Sequence, residues 1–181
     1  MSRPFLSVII PAFNEEQRIG ITIQEIVTYL RKQPYSWEIL IVDDGSTDRT
    51  ASLANDWAAK TGSVRLESVP HSGKGWAVRH GMLAAEGDLR FMCDADLSMP
   101  IKHIDNFIGP MHDGYDVVIG SREVEGARRF NEPAVRHFMG RVFNRLVAFT
   151  AVAGFQDTQC GFKCFRAESA VYLFEAQTTS G

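Results

Sequence analysis

The sequence lacks a hydrophobic run that could cross a bilayer as a helix, which needs roughly 20 consecutive apolar residues. Its longest run, residues 146–155, is about half that length. Cysteine is scarce, since Cys93, Cys160 and Cys164 are an odd number with no tight Cys/His cluster around them. Without a recognisable secretory leader, these features predict a reducing, cytoplasmic location and cysteines that pack in the core.

Two nucleotide-binding signatures and an excess of positive charge are also missing. No Gly-x-Gly-x-x-Gly occurs, and the Gly-Lys-Gly at 73–75 lacks the spacing of a Walker loop. Dinucleotide-dependent and ATPase functions therefore lose support. The net charge of -3 argues against a general nucleic-acid-binding protein.

The composition that remains is ordinary for a soluble globular protein. The chain has 181 residues, of which 45% are apolar and 23% charged, and this predicts one domain, 1–181, with a real core. The first 120 residues carry 11 Lys and Arg against 16 Asp and Glu, whereas residues 121–166 carry eight against four. An acidic front and a basic rear would suit a metal site and an anionic substrate, and surface scatter explains the counts equally well.

Apolar strands alternate with helices along the chain. Continuous apolar runs predict strands at 5–11, 37–42, 64–69, 89–93 and 116–120. Helical spacing predicts helices at 15–33, 47–61, 74–86, 101–112 and 133–151, followed by an extended segment at 161–166 and a helix after Ala167. The alternation predicts an α/β fold, with a Rossmann-like, mostly parallel sheet and helices on both faces.

A pair of carboxylates, Asp94 and Asp96, follows the apolar run 89–93. Ligands of open parallel sheets bind at the carboxyl ends of the strands, where this pair is expected to lie. Hard divalent cations such as Mg²⁺ often bridge one or two carboxylates to substrate phosphates. The pair therefore predicts a cation that holds a diphosphate, and the alternative is a polar exit from a strand.

Other polar residues at the same predicted edge have two interpretations each. In the segment 43–46, a carboxylate would accept from uracil N3–H or ribose hydroxyls, and Gly45 would let the backbone approach a ligand closely. A turn and helix cap also explain this segment. Asn14 and Glu15 would contact base or ribose, or form the cap and first turn of the next helix. Lys74, at a helix start, would contact the nucleotide or a phosphate.

Four segments together resemble the family-2 inverting glycosyltransferases. They are Ser-Val-Ile-Ile-Pro-Ala-Phe-Asn-Glu at 7–15, Val-Asp-Asp-Gly-Ser at 42–46, Gly-Lys-Gly at 73–75 and Asp-Ala-Asp at 94–96. Two later segments, Gly-Ser-Arg at 120–122 and Asp-Thr-Gln-Cys-Gly-Phe-Lys at 157–163, are similar to the branch that glycosylates polyprenyl phosphates. Asp-Leu-Ser at 96–98 and the 157–163 segment resemble the dolichyl-phosphate β-glucosyltransferases within that branch.

The resemblance implies an A-type glycosyltransferase fold and assigns donor-binding residues. The residues that would bind the nucleotide-sugar are Pro11, Phe13, Glu15, Asp43, Asp44, Lys74, Asp94 and Ala95. Asp94 and Asp96 would hold the diphosphate through Mg²⁺ or Mn²⁺. Mannosyl relatives use a Gln as a further ligand where this chain has Ser98, a shorter and weaker one.

The resemblance also implies a role for the basic segment 121–166. Arg122, Arg136 and Arg141 would bind the acceptor phosphate, because guanidinium forks suit phosphate. Helix 133–151 is basic and amphipathic, which predicts peripheral contact with the cytoplasmic face of a membrane; a core helix with a solvated face is the alternative. The candidate catalytic residues are Asp96, Arg122 and Asp157, the last as the base if the acceptor is a hydroxyl.

The expected function is inverting transfer of glucose from UDP-glucose to a polyprenyl or dolichyl phosphate. One rival is a family-2 transferase that uses GDP-mannose or a sugar hydroxyl acceptor. The other is a non-catalytic nucleotide-sugar-binding module. Relatives usually continue past the last residue of this sequence, so a catalytic domain truncated at its C-terminal end is expected.

Overall fold

The computed structural model describes residues 3–121 and 160–178. Several sequence predictions fall outside these ranges: helix 133–151, the acceptor residues Arg122, Arg136 and Arg141, and Asp157. They stay predictions. Among the described residues, no helix is both long enough and apolar enough to span a membrane.

Contacts divide the chain into two compact units. One contains residues 1–118 and 162–181, and the other residues 119–161. The candidate site described below belongs wholly to the first unit. The prediction of a single domain stays a prediction.

The described elements follow the predicted alternation. The strands are β1 (Leu6–Ala12), β2 (Trp37–Asp43), β3 (Val64–Ser68), β4 (Leu89–Met92), β5 (Val117–Ile119) and β6 (Lys163–Arg166). The helices are α1 (Ile19–Leu30), α2 (Thr50–Lys60), α3 (Lys74–Ala84), α4 (Asp105–His112) and α5 (Ala167–Glu175). The predicted helix 101–112 is divided, because a 3₁₀ turn (Ile101–Ile104) precedes α4.

The six strands form one sheet in the order β3-β2-β1-β4-β6-β5. β1 pairs in parallel with β2 and β4, and β2 in parallel with β3. β6 is antiparallel to β4, so the sheet is mostly parallel, as predicted. The chain leaves β1 toward β2 on one side and returns to β4 on the other, which is the point where open α/β sheets place their ligands.

Helices cover both faces of the sheet, as predicted. α3 packs on β1 and β2, and α5 packs on α3 and β4. Their shared core includes Ile9, Leu40 and Met92, one residue from each of three neighbouring strands. Phe91 points to the opposite face, because side chains alternate along a strand. Its ring meets that of Phe107 in α4, with centroids 5.2 Å apart.

Two helices begin later than the sequence predicts. α1 begins at Ile19 rather than Glu15, and α2 begins at Thr50 rather than residue 47. The loops before them bond to each other instead. The Asp48 carboxylate accepts hydrogen bonds from the backbone N–H groups of Glu16 and Thr50, at 3.1 and 2.9 Å. The Glu15 N–H donates to the Thr50 hydroxyl at 2.7 Å. Hydrogen bonds between the two loops therefore take the place of the first helical turns that the sequence predicts.

Candidate active site

An open cleft of about 300 Å³ lies at the carboxyl ends of β1, β2 and β4. It brings together eight of the residues that the sequence singles out: Pro11, Phe13, Glu15, Asp44, Lys74, Asp94, Ala95 and Asp96. His71 and Gly73 also line it. Asp43 does not line the cleft; it pairs in register with Ala12, which does. The predicted convergence of strand-end residues therefore holds.

The two carboxylates of the Asp-Ala-Asp segment have different neighbours. Asp94 Oδ1 lies 2.6 Å from the Lys74 ammonium, an ion pair across the cleft. Asp96 Oδ1 accepts a hydrogen bond from the Ser98 backbone N–H at 3.0 Å. Leu97, which lies between Asp96 and Ser98, has φ +45°, a left-handed conformation that strains a leucine. The loop after β4 is thus held in one defined turn.

The loop after β4 is also held by a threonine, Thr22, which the sequence did not single out. Thr22 of α1 is 3% exposed, and its hydroxyl donates to the Ala95 carbonyl at 2.6 Å. That carbonyl lies between the two carboxylates in sequence. A signal was available, because Thr22 sits beside Ile19 and Ile23 on the buried face of an amphipathic helix, where a hydroxyl needs a partner.

The donor atoms of the cleft fit a hard divalent cation. Asp94 Oδ2 and Asp96 Oδ2 accept no hydrogen bond from the described part of the chain. Within residues 3–121 and 160–178, no group of three or more His, Cys, Asp and Glu is placed to hold a metal. Two carboxylates alone suit a cation such as Mg²⁺, which keeps waters and completes its shell with substrate phosphates.

The neighbours Asp43 and Asp44 differ sharply in what they bind. Asp44 Oδ1 accepts from the Ser72 N–H at 2.8 Å, and Oδ2 accepts from the Gly73 N–H at 3.0 Å. Asp44 Oδ2 also lies 2.9 Å from His71 Nδ1, so the loop 71–73 uses this carboxylate fully. Asp43 is 3% exposed, and its Oδ1 has no hydrogen-bond partner among the described residues. A ligand donor would satisfy that buried oxygen.

Gly45 and Asn14 hold loops rather than an open ligand surface. Gly45 has φ +70°, and a Cβ there would lie 2.9 Å from the His71 backbone nitrogen. The close approach expected at Gly45 exists, but a protein backbone makes it. Asn14 has φ +54°; its N–H donates to the Ser46 hydroxyl and its Oδ1 accepts from the Thr47 N–H, both at 2.9 Å. The alternative interpretation of Asn14 and Glu15 as the cap and first turn of the next helix is wrong, because α1 begins at Ile19.

An aromatic pair forms one wall of the cleft. The rings of Phe13 and His71 stack with centroids 4.1 Å apart and planes 20° apart. Phe13 remains 42% exposed, so part of its ring is open to a ligand. The sequence predicted Phe13 as a donor-binding residue but not its partner, because the two lie on different loops.

Cys93, directly before the acidic pair, is buried and plays no part as a nucleophile. Burial raises the pKa of its thiol far above neutrality, and the charges of Asp94 and Asp96 raise it further. Only a thiolate is strongly nucleophilic. Cys160 and Cys164 are buried as well, in agreement with the prediction that the cysteines pack in the core.

Solved structures that superpose on this chain include glycosyltransferases of the A-type fold. Glucosyl-3-phosphoglycerate synthase from Mycobacterium tuberculosis superposes with a TM-score of 0.66 at 23% identity, over 91% of this chain and 57% of that one. Mannosyltransferase PcManGT from Pyrobaculum calidifontis, solved with GDP-Man and Mn²⁺, gives 0.62 at 21% identity, over 99% and 49%. This chain therefore has the predicted A-type fold.

Residues 7–173 match the family described as Glycosyl transferase family 2, and the chain belongs to that family. A dolichyl-phosphate beta-glucosyltransferase of Trichomonas vaginalis is 36% identical over 97% of this chain and 56% of its own length. The dolichyl-phosphate beta-glucosyltransferase of Homo sapiens is 32% identical over 94% and 57%. The chain thus spans a little over half the length of these curated relatives.

Proposed function

We propose that this chain carries the donor site of an inverting transferase that moves glucose from UDP-glucose to a polyprenyl or dolichyl phosphate. The observation that carries the proposal is the convergence of Lys74, Asp94 and Asp96 in one cleft beside the exposed Phe13 ring. Identity of 32% and 36% to dolichyl-phosphate beta-glucosyltransferases supports the glucosyl donor and the lipid-phosphate acceptor.

The donor would extend across the cleft from base to diphosphate. The uracil ring would stack on the open part of Phe13, a contact that is typically worth about 1–3 kcal/mol for a base on an aromatic side chain. Asp43 stays the predicted contact of uracil N3–H or a ribose hydroxyl, although its Oδ1 is buried beside the cleft and does not line it. Lys74 would contact the diphosphate. A divalent cation held by Asp94 and Asp96 would offset the charge that develops on the departing UDP.

The reaction would be a single displacement at the anomeric carbon. An oxygen of the acceptor phosphate forms the new bond from the face opposite UDP, while the bond to the UDP oxygen breaks and its electron pair leaves with UDP. A phosphate is already anionic at neutral pH, so no strong base is required. The protein's main tasks are alignment and charge stabilisation. Arg122, Arg136 and Arg141 stay the predicted acceptor-phosphate residues.

GDP-mannose is the second candidate donor. The specific reason is that Asp43 Oδ1, a lone acceptor, does not by itself distinguish uracil N3–H from guanine N1–H. A sugar hydroxyl acceptor would require a base, for which Asp157 is the prediction. A cytoplasmic, membrane-peripheral location stays a prediction, and the lipid acceptor named for the relatives supports its membrane contact alone.

Sugar transfer from a panel of radiolabelled donors tests the proposal. UDP-glucose, UDP-galactose and GDP-mannose are each supplied with polyprenyl phosphate, and with polyprenol as the matched acceptor without a phosphate. We expect a β-linked product from UDP-glucose and polyprenyl phosphate only. Transfer from GDP-mannose alone would establish the second candidate, and transfer from no donor would favour a binding module.

Thermal unfolding ranks the donors independently of turnover. With Mn²⁺ present, UDP-glucose should raise the melting temperature more than GDP-mannose does at equal concentration, because a ligand that binds only the folded state stabilises it according to its affinity. The reverse ranking would contradict the glucosyl assignment. Asp96→Asn is the matched variant in which the Mn²⁺-dependent part of the shift should disappear.

A further inference from the structure

The ion pair between Lys74 and Asp94 involves a residue that the proposed function assigns to the cation. Lys74 is the first residue of α3, and Asp94 follows β4, twenty positions later. Their charged atoms are 2.6 Å apart, and the side chains are 64% and 23% exposed. Lys74 therefore neutralises Asp94, one of the two carboxylates of the Asp-Ala-Asp segment, while its exposed side chain stays free to change rotamer.

A divalent cation and this ammonium group compete for the same carboxylate. A cation on Asp94 Oδ1 would displace Lys74 directly, and one on Oδ2 would lie close enough to repel it. A cation that binds alone therefore leaves the ammonium without a counterion. A diphosphate that arrives with the cation supplies a new counterion, because its oxygens carry the charge that Lys74 loses.

We infer that Lys74 exchanges partners, from Asp94 to the donor diphosphate, and so makes cation and nucleotide bind cooperatively. This inference rests on the proposed function. Cooperativity of this kind is reciprocal: UDP tightens cation binding by the same factor by which the cation tightens UDP binding. The exchange disfavours a cation bound without nucleotide and favours the complete donor complex.

The expected size follows from the exposure of the pair. Exposed ion pairs are weak, so breaking this one costs a cation about two- to fivefold in affinity. Lys74→Met removes the ammonium but keeps an unbranched side chain of similar length. We expect the variant to bind Mn²⁺ alone about two- to fivefold more tightly, and to show an enhancement by UDP that is smaller by a similar factor.

Calorimetric titration of Mn²⁺, with and without saturating UDP, measures both quantities. Lys60→Met is the matched control, because Lys60 is an exposed lysine at the end of α2 that lies 5.7 Å from the Trp57 ring and outside the cleft. The control should keep both the Mn²⁺ affinity and the UDP enhancement of the unaltered protein.

Nitrogen-15 spectra of the lysine side chains give a readout that simple charge repulsion would not produce. The Lys74 signal, assigned by its loss in Lys74→Met, should shift when UDP and Mg²⁺ are added together. In Asp94→Asn the signal of the ligand-free protein should already lie where exposed lysines do. An Asp94→Asn spectrum identical to that of the unaltered protein would overturn the pairing.

Two failures are distinguishable. If Lys74→Met keeps the UDP enhancement of the unaltered protein while UDP still binds in a Mn²⁺-dependent way, the exchange is wrong and the proposed function stands. If the unaltered protein binds no UDP with Mn²⁺ present, the proposed function fails and the exchange fails with it.

Discussion

The same strands end in two polar regions of opposite character. At their amino ends, Glu38 of β2 is buried and uses both carboxylate oxygens. Its Oε1 accepts from the Ser7 hydroxyl at 2.5 Å and the Glu86 N–H at 2.7 Å, and its Oε2 pairs with Arg65 at 3.0 Å. The Ser7 oxygen in turn accepts from the Gly87 N–H at 2.7 Å. We call these five residues the Glu38 network.

At the carboxyl ends, Asp44 also uses both of its oxygens, but three other acidic residues keep an oxygen without a partner in the described part of the chain. Asp43 Oδ1 has none among the described residues, and Asp94 and Asp96 each use one oxygen toward the protein. The difference shows how one sheet separates stability from function. At the amino ends, the protein supplies the hydrogen-bond donors and the Glu38 network holds strands and loops together. At the carboxyl ends, some carboxylate oxygens lack a protein donor, and a ligand has to provide one.

The largest expected effect comes from opening the Glu38 network. Glu38→Ala leaves the Ser7 hydroxyl and the Glu86 N–H without their acceptor, whereas Arg65 keeps its hydrogen bond to the Ala84 carbonyl. Each unsatisfied buried donor costs about 1–3 kcal/mol, so the free energy of unfolding should fall by about 3 kcal/mol. Urea unfolding measures the loss. Glu38→Gln, which keeps one acceptor oxygen, should lose less, and UDP affinity should stay unchanged in the folded fraction of both variants.

Asp96→Asn should lower activity strongly and stability little, whereas Glu38→Ala should lower stability and leave UDP affinity unchanged. Loss of this proposed cation ligand should lower the proposed glucosyl transfer by about 100-fold or more. The free energy of unfolding should change by no more than about 0.5 kcal/mol, because Asp96 is exposed. A large loss of stability in Asp96→Asn would break the comparison between the two ends of the strands.

Thr22→Val tests the buried hydrogen bond from the Thr22 hydroxyl to the Ala95 carbonyl, between the two carboxylates at the carboxyl ends of the strands. The valine has the same shape but leaves the Ala95 carbonyl unpaired, at a cost of about 1–3 kcal/mol that is shared between stability and loop geometry. We expect UDP affinity with Mn²⁺ to fall by about tenfold. Thr22→Ser, which retains the hydroxyl, should restore it; equal affinities in both variants would remove Thr22 from the positioning of the acidic pair.

The smallest expected effect concerns pH and the loops beside α2. Burial raises the pKa of the Asp48 carboxyl, but hydrogen bonds from Thr50 and the Glu16 backbone outweigh it, so the pKa lies below its ordinary value. A lowered folded-state pKa stabilises the protein above about pH 4, and this stabilisation is lost as the pH falls through the folded-state value. The stability difference between the protein and Asp48→Asn should therefore narrow below pH 4.

Urea unfolding from pH 6 to pH 2 measures this narrowing. Asp56→Asn, which removes an exposed carboxylate from α2, is the control and should run parallel to the unaltered protein. A constant difference between the protein and Asp48→Asn across that range would show that the Asp48 carboxylate does not contribute through its ionisation.

The strand ends were predictable because they follow local rules. Continuous apolar runs mark strands buried on both faces, and the polar residues that follow them must reach the same sheet edge. Asp94 and Asp96 were located in this way, and they do line the cleft. The antiparallel direction of β6 had no local signal, since an extended segment reads the same in either direction.

The parts that were missed depend on distant partners. Asp44 binds Ser72, 28 positions away, and Thr22 binds Ala95, 73 positions away. Neither pairing leaves a trace in local spacing, so the sequence did not predict that the Asp44 carboxylate holds the loop 71–73. The assignment of Asp44 to the nucleotide stays a prediction. The late starts of α1 and α2 have the same origin, because the loops before them satisfy each other's polar groups.

The Mn²⁺ dependence of UDP binding tests the central claim most directly. Calorimetry with the protein and with Asp96→Asn gives the dissociation constant of UDP with and without the cation. We predict that Mn²⁺ tightens UDP binding about tenfold or more in the protein and has little effect in the variant. A dissociation constant that is the same with and without Mn²⁺ in the unaltered protein would contradict it.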